Sequence, residues 1–350
     1  MRTLTFGLMI AVALASAGVV RADVLNMPSG QTSIELVWVA DNNNPADTDV
    51  MWTDSTTGFG SVGYAYQMGK YEVTNAQYCQ FLNAKASASD PYGLYSTYMG
   101  SQVYGGINRT GSSGSYVYSL KSGYENKPVV YVCWYDSLRF INWLQNGQGT
   151  GSTESGTYTI TGGGINFGTV TIPDAAARAS WDNAHKHWVL PSENEWYKAA
   201  YYDPNKPGGA GYWDYPTGSD SMPSNDLLTP DPGNNANFNE AGYTTTSPYL
   251  TVVGEFENSD SPYGTFDQGG NVFEWNEAVF GTWGGLRGGG WYNNSTELAA
   301  SYRLGYYSGP TSEGSTVGFR VASVPEPGSI TLLVCGVVAG LIFWRKRKMT

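Results

Sequence analysis

Cysteine and histidine are scarce in this chain. Its 350 residues hold three cysteines and two histidines. Cys335 lies in the C-terminal tail, which leaves Cys79 and Cys133 in the body and no Cys-x-x-Cys or zinc-type spacing. Those two thiols allow a single disulfide, with two unrelated buried thiols as the alternative. A serine triad would have to recruit His185 or His187, and no G-x-S-x-G elbow is present. There is no P-loop and no G-x-G-x-x-G between a strand and a helix; Gly162-Gly163-Gly164 sits in low-complexity sequence. Charge is thin as well, at 14% of residues, and basic residues (19) are outnumbered by acidic ones (30), for a net charge of −11. Such a surface repels nucleic acid and anionic lipid and attracts divalent cations. What is abundant is glycine (45) and tyrosine (26), in a chain that is 41% apolar. That balance argues for a loop-rich fold of short strands, and against coiled coil or disorder.

Both ends read as targeting segments. Met1–Ala22 carries Arg2, an apolar run and a small-residue exit at Val20-Arg21-Ala22, the pattern of a secretory signal peptide; cleavage after Ala17 is the other option. The tail runs Val324-Pro325-Glu326-Pro327-Gly328, then apolar Ile330–Trp344, then basic Arg345–Lys348. That apolar stretch is short for a spanning helix, which needs about 20 residues. The basic cluster nevertheless places the C-terminus on the cytoplasmic side. This division gives a signal peptide at 1–22, one body at 23–324 and a sorting or anchoring tail at 325–350. The body is expected outside the cytoplasm, in the envelope or beyond it.

The most informative stretch is Tyr263–Trp291. Asp267, Gly270, Val272 and Glu274 stand at relative positions 1, 4, 6 and 8. That spacing suits a loop folding two carboxylates and two carbonyls around one hard cation, and calcium accepts six to eight such oxygens. Gly269-Gly270 supplies the positive φ that turns carbonyls inward. An acidic turn before a buried Trp275 is the competing reading.

Upstream, Ile34–Val39 and Gly63–Tyr71 alternate as strands do. Thr74 and Gln77 form a capping box ahead of Tyr78, Phe81, Leu82 and Ala86 at helical spacing. Pro128–Trp134 is an apolar run of strand length, and Asp136 can cap a helix bearing Leu138, Ile141, Trp143 and Leu144. Ser87–Lys127 reads as long loops with a hairpin at Tyr116–Leu120, and Tyr158–Ile160 with Thr169–Ile172 as the strands of a second, small hairpin. Ser192 and Glu195 form another capping box before Trp196, Ala199 and Ala200. Asp203–Asn235 is a long loop of the kind that is functional or mobile.

Glu72-Val73-Thr74-Asn75, Pro128–Trp134, Leu190–Trp196, GGNVFEW, LRGGGW and Val317-Gly318-Phe319-Arg320, in this order, resemble the formylglycine-generating enzyme (sulfatase-modifying factor) family. The tail resembles the PEP-CTERM sorting signal of Gram-negative envelopes, which an exosortase-type protease processes. The resemblance implies an α+β fold, the elaborated C-type-lectin-like architecture of that family. It also implies a second calcium site using Asn237 and the Phe238 carbonyl.

The family's oxidase chemistry rests on two cysteines that bind copper(I), a soft ion that selects thiolates. Aligned on Arg287–Trp291, those positions hold Asn293 and Leu298, so no catalytic residue is assigned and no copper is expected. A related enzymatic branch uses three histidines on non-haem iron, whereas this chain has His185 and His187 beside Asp182. Two readings compete. The first is a calcium-stabilised binding or structural module whose tyrosine-rich loops contact saccharide, peptide or matrix polymer. The second is an enzyme of the superfamily with altered, metal-dependent oxidative chemistry.

Overall fold

The computed structural model describes residues 23–25, 32–181, 186–280, 282–304 and 309–324. The signal peptide and the sorting tail lie outside the described residues, as do Asp182 and His185. No helix among the described residues is long and apolar enough to cross a membrane.

The architecture is α+β, with short strands in small sheets and few helices. In chain order, the elements that position the site are β1 (Asp23–Leu25), β2 (Ile34–Val39), β3 (Tyr66–Gly69), α1 (Asn75–Lys85), α2 (Trp134–Gln145), β4 (His187–Val189), α3 (Glu193–Tyr201), β5 (Phe273–Phe280), β6 (Trp283–Arg287), β7 (Val317–Phe319) and β8 (Ala322–Val324). Five strands form an antiparallel sheet in the order β1-β2-β3-β8-β4, so β8, late in the chain, is wedged between β3 and β4. A smaller sheet places β5 between antiparallel β6 and parallel β7.

α1, α2 and α3 begin where side chains can satisfy their free amides. Thr74 Oγ1 accepts from Gln77 N (3.3 Å) and Gln77 Oε1 accepts from Thr74 N (2.9 Å), which closes the expected box on α1. Ser192 and Glu195 do the same for α3, at 3.2 and 2.7 Å. The start of α2 differs from expectation. Its cap is Cys133, and Asp136 occupies the third helical position, accepting from Cys133 N at 2.9 Å. Burial pushes the Asp136 carboxyl up to about 7.

The expected strand at Pro128–Trp134 is not one. Val129, Val130 and Val132 are buried, but Tyr131 adopts φ 62° and only Thr74 and Pro128 form an isolated bridge. An apolar run of strand length is equally the mark of a buried connector, and here burial without a ladder is the outcome. The expected hairpin near residue 160 is present, as Thr159–Gly164 with Phe167–Thr171, whereas the one expected at Tyr116–Leu120 is a single strand, Val117–Leu120, paired with Ile107–Thr110. Tyr78 of α1 and Phe140 of α2 pack on Phe319, and Phe81 packs on both of them, with ring centroids 5.3–6.5 Å apart. Trp275 is wholly buried in the same core and its Nε1 donates to Val132 O (3.0 Å).

Candidate functional site

The loop before β5 brings the two expected calcium stretches together. Gly270 has φ +87°, and a Cβ there would sit 2.4 Å from Asn237 O, so glycine alone allows the approach. Asn271 N donates to the same carbonyl at 2.7 Å. Asn237, also buried, donates through Nδ2 to Asn271 Oδ1 (3.0 Å) and to Tyr249 O (2.8 Å). Asn271 Nδ2 in turn donates to Glu72 Oε1 (3.1 Å), a residue the sequence reading quoted only as part of a motif.

Glu274 is engaged on both oxygens. Arg320 donates through Nε and Nη2, each at 2.6 Å, and Trp196 Nε1 donates to Oε2 at 2.7 Å. The same guanidinium holds the carbonyls of Gly69 (2.9 Å) and Phe266 (2.8 Å), which ties β3 and the loop to β5. As arranged here, Glu274 is the counterion of a buried arginine. Glu72 and Asp267 are the carboxyls left without a full partner. Burial, reinforced by the Asp267 and Glu274 charges, holds Glu72 well above the usual carboxylate range. Burial also raises Asp267, to about 6, although Gly254 N donates to its Oδ2 at 2.6 Å.

These residues fit a hard cation in part. Among the described residues, Glu72 Oε2 and Asn237 Oδ1 are buried without a hydrogen-bond partner. Three carboxylates against one arginine also leave negative charge that a divalent ion would balance. The Phe238 carbonyl of the second expected site already accepts from Asn225 Nδ2 and Thr244 Oγ1, each at 3.1 Å. No group of three or more His, Cys, Asp or Glu among the described residues is arranged to hold a metal ion.

Cys79 and Cys133 are both buried free thiols. Cys79 faces Asn83 on its own helix, and Cys133 caps α2, so each has a local role and the candidate bridge is not formed. Of the histidines, His187 stacks on Trp181 at 4.3 Å. Asn293 and Leu298, at the positions where the copper pair would stand, are structural. Asn293 Oδ1 accepts from Gly290 N (3.1 Å), and Leu298 is buried with Ala236 and Phe238.

Next to Asn293 lies a feature that spacing could not show. Trp291 packs against both Tyr104 and Tyr249, each 5.0 Å away with ring planes 20° apart, and the two tyrosines are 6.4 Å from each other, so the three rings form a triangular cluster. Tyr243 lies tilted against Tyr249 at 4.4 Å and reaches Trp291 at 5.8 Å, and Tyr292 meets Trp291 edge-on at 5.7 Å. Trp291 itself is buried, whereas Tyr243 is 41% and Tyr292 60% exposed, so the stack reaches solvent. The rings come from three separate regions of the chain; tyrosine richness in the loops was the one signal for them.

A family model for sulfatase-modifying factor enzyme 1-like domains matches residues 59–324. Among curated proteins, serine/threonine-protein kinase pkn1 of Chlamydia pneumoniae is 23% identical over 285 residues, 74% of this chain and 33% of that protein. The chain therefore spans about a third of the length of the curated relative it matches. Among solved structures, Treponema denticola variable protein 1 is 20% identical with a TM-score of 0.48, over 84% of this chain and 96% of that one. PvdO from Pseudomonas aeruginosa is 18% identical with a TM-score of 0.49, over 83% and 95% respectively. The family match covers every element from β3 to β8, including the Asp267–Glu274 loop, and the chain belongs to the FGE-sulfatase family of sulfatase-modifying factor enzyme 1-like domains.

Proposed function

We propose that this chain is an exported, envelope-attached binding module of the family, stabilised by calcium, which holds a neutral saccharide polymer on the aromatic stack around Trp291. The stack is the observation that carries the reading. Rigid rings with hydroxyl tips offer amphipathic contact area at low entropic cost, and flat faces stack on sugar rings. The net charge of −11 disfavours acidic polymers, and a neutral polymer meets no such repulsion. The positions that would carry oxidase chemistry hold an asparagine turn and a core leucine. Calcium, bound by Asp267 with the Gly270 and Val272 carbonyls and the spare oxygens of Glu72 and Asn237, supplies charge balance and fixes the loop that leads into β5. Export and anchoring rest on the sequence of the two ends.

The test is affinity electrophoresis of the full chain through gels containing neutral polysaccharides, with a Tyr243→Ala/Tyr292→Ala variant alongside. Retardation of the wild type that the double variant loses, with unchanged melting, supports the reading. Equal retardation of both, or none on any polysaccharide, removes the stack as the binding surface.

A further inference from the structure

A cavity of about 310 Å³ opens beside β5, and it shares no lining residue with the aromatic stack. Its chemistry follows from one irregularity in the sheet. Asn276 pairs with Gly285 and Val279 with Gly284, so Glu277 and Ala278 are extra residues bulged out of the ladder. Bulges re-aim side chains, and both of these residues line the cavity. Glu277 N is held by Pro191 O at 3.0 Å, which fixes the bulge against the start of α3.

Glu277 is 6% exposed. Its Oε1 accepts from the Tyr158 hydroxyl and contacts Arg178, while no described residue donates to Oε2. Arg178 is also the partner of Glu195. On the far side of the cavity, Glu193 is held by Arg287 and Arg303, and Arg303 is shared with Asp54. Four carboxylates thus face three guanidiniums, and the network is one positive charge short. The shortfall falls at Glu277, whose carboxyl is pushed up to about 7, by burial first and by the Glu195 charge after it. The wall also carries apolar Phe59, Ile172, Pro173 and Ala278, with Asp174, Ser192 and Asn194 as further polar groups.

We propose that this cavity is a second ligand site, which takes a primary alkylammonium group with its nitrogen on Glu277 Oε2 and its stem along Phe59 and Ile172. A buried carboxylate with a spare oxygen is a strong acceptor for a charged donor, and the donor supplies the missing charge. A neutral alcohol of the same length gains the apolar contact but not the ion pair. This proposal stands independently of the saccharide reading.

The experiment is calorimetric titration of the full chain with n-pentylammonium chloride, and with 1-pentanol as the uncharged control, at 0.15 M salt so that the general acidity of the surface is screened. A charge-assisted hydrogen bond is worth on the order of tenfold or more in affinity, so pentylammonium should bind at least about tenfold more tightly than pentanol. Glu277→Gln should remove that advantage. Ala175→Trp, an exposed position on the cavity rim outside the ion network, should weaken both ligands with melting unchanged, and it serves if the first variant does not fold. Equal affinities for amine and alcohol, or wild-type affinities in Ala175→Trp, would overturn the proposal.

Discussion

Glu274 and Glu277 lie three residues apart on one strand and have opposite fates. Glu274 is in the regular ladder, between Arg287 on β6 and Gly318 on β7, and its carboxylate is closed off by Arg320 and Trp196. Glu277 is in the bulge, shares Arg178 with Glu195 and keeps an oxygen towards a cavity. The lesson is that residue type and burial do not by themselves assign a role. One carboxylate has a dedicated arginine in bidentate geometry and is structural; the other has half an arginine and is available.

The comparison is sharpest in stability. Removing one partner of a buried ion pair leaves an uncompensated charge and typically costs about 3–5 kcal/mol. Glu274→Ala should fall in that range in chemical denaturation, and a loss near that of an ordinary surface substitution would show Arg320 to be satisfied elsewhere. Glu277→Gln should behave differently. Burial pushes its carboxyl up to about 7 in the folded state, from an ordinary value of 4.5. A raised acid pKa means the folded state binds the proton more tightly, so this stability is present below about pH 4.5 and is lost as pH rises through about 7. At 1.36 kcal/mol per pKa unit the contribution is of order 3 kcal/mol. Glu277→Gln should therefore match the wild type near pH 5, exceed it near pH 8, and flatten the profile between them. A parallel profile would break the comparison. At the small end, Tyr243→Ala and Tyr292→Ala should each shift unfolding by no more than about 0.5 kcal/mol, as exposed positions do. A larger loss would make the stack a part of the core.

Local signals in the sequence were enough for much of this. The boxes at Thr74/Gln77 and Ser192/Glu195 located α1 and α3 because capping is settled within four residues. Trp275 in the core, and the association of the Asp267 loop with β5, were legible for the same reason. Pro128–Trp134 misled because an apolar run records burial and not hydrogen bonding. Glu72 was hidden because its partners, Asn271 and Asp267, are almost two hundred residues away in sequence. Glu277 was hidden because a bulge leaves no mark on composition, and Arg178 because its carboxylates converge from two other segments. Spacing within the loop offered Glu274 as a calcium ligand; its commitment to Arg320 depends on a strand end distant in sequence.

We propose that a calcium-knit scaffold persists here without oxidase chemistry. Elemental analysis of the protein, purified without added metal or chelator, tests it most directly when paired with melting curves in calcium and in chelator. Expected are calcium at about one ion per chain, a lower melting temperature in chelator, and loss of that difference in Asp267→Asn. Stoichiometric copper or iron, or melting that is indifferent to calcium, would contradict it.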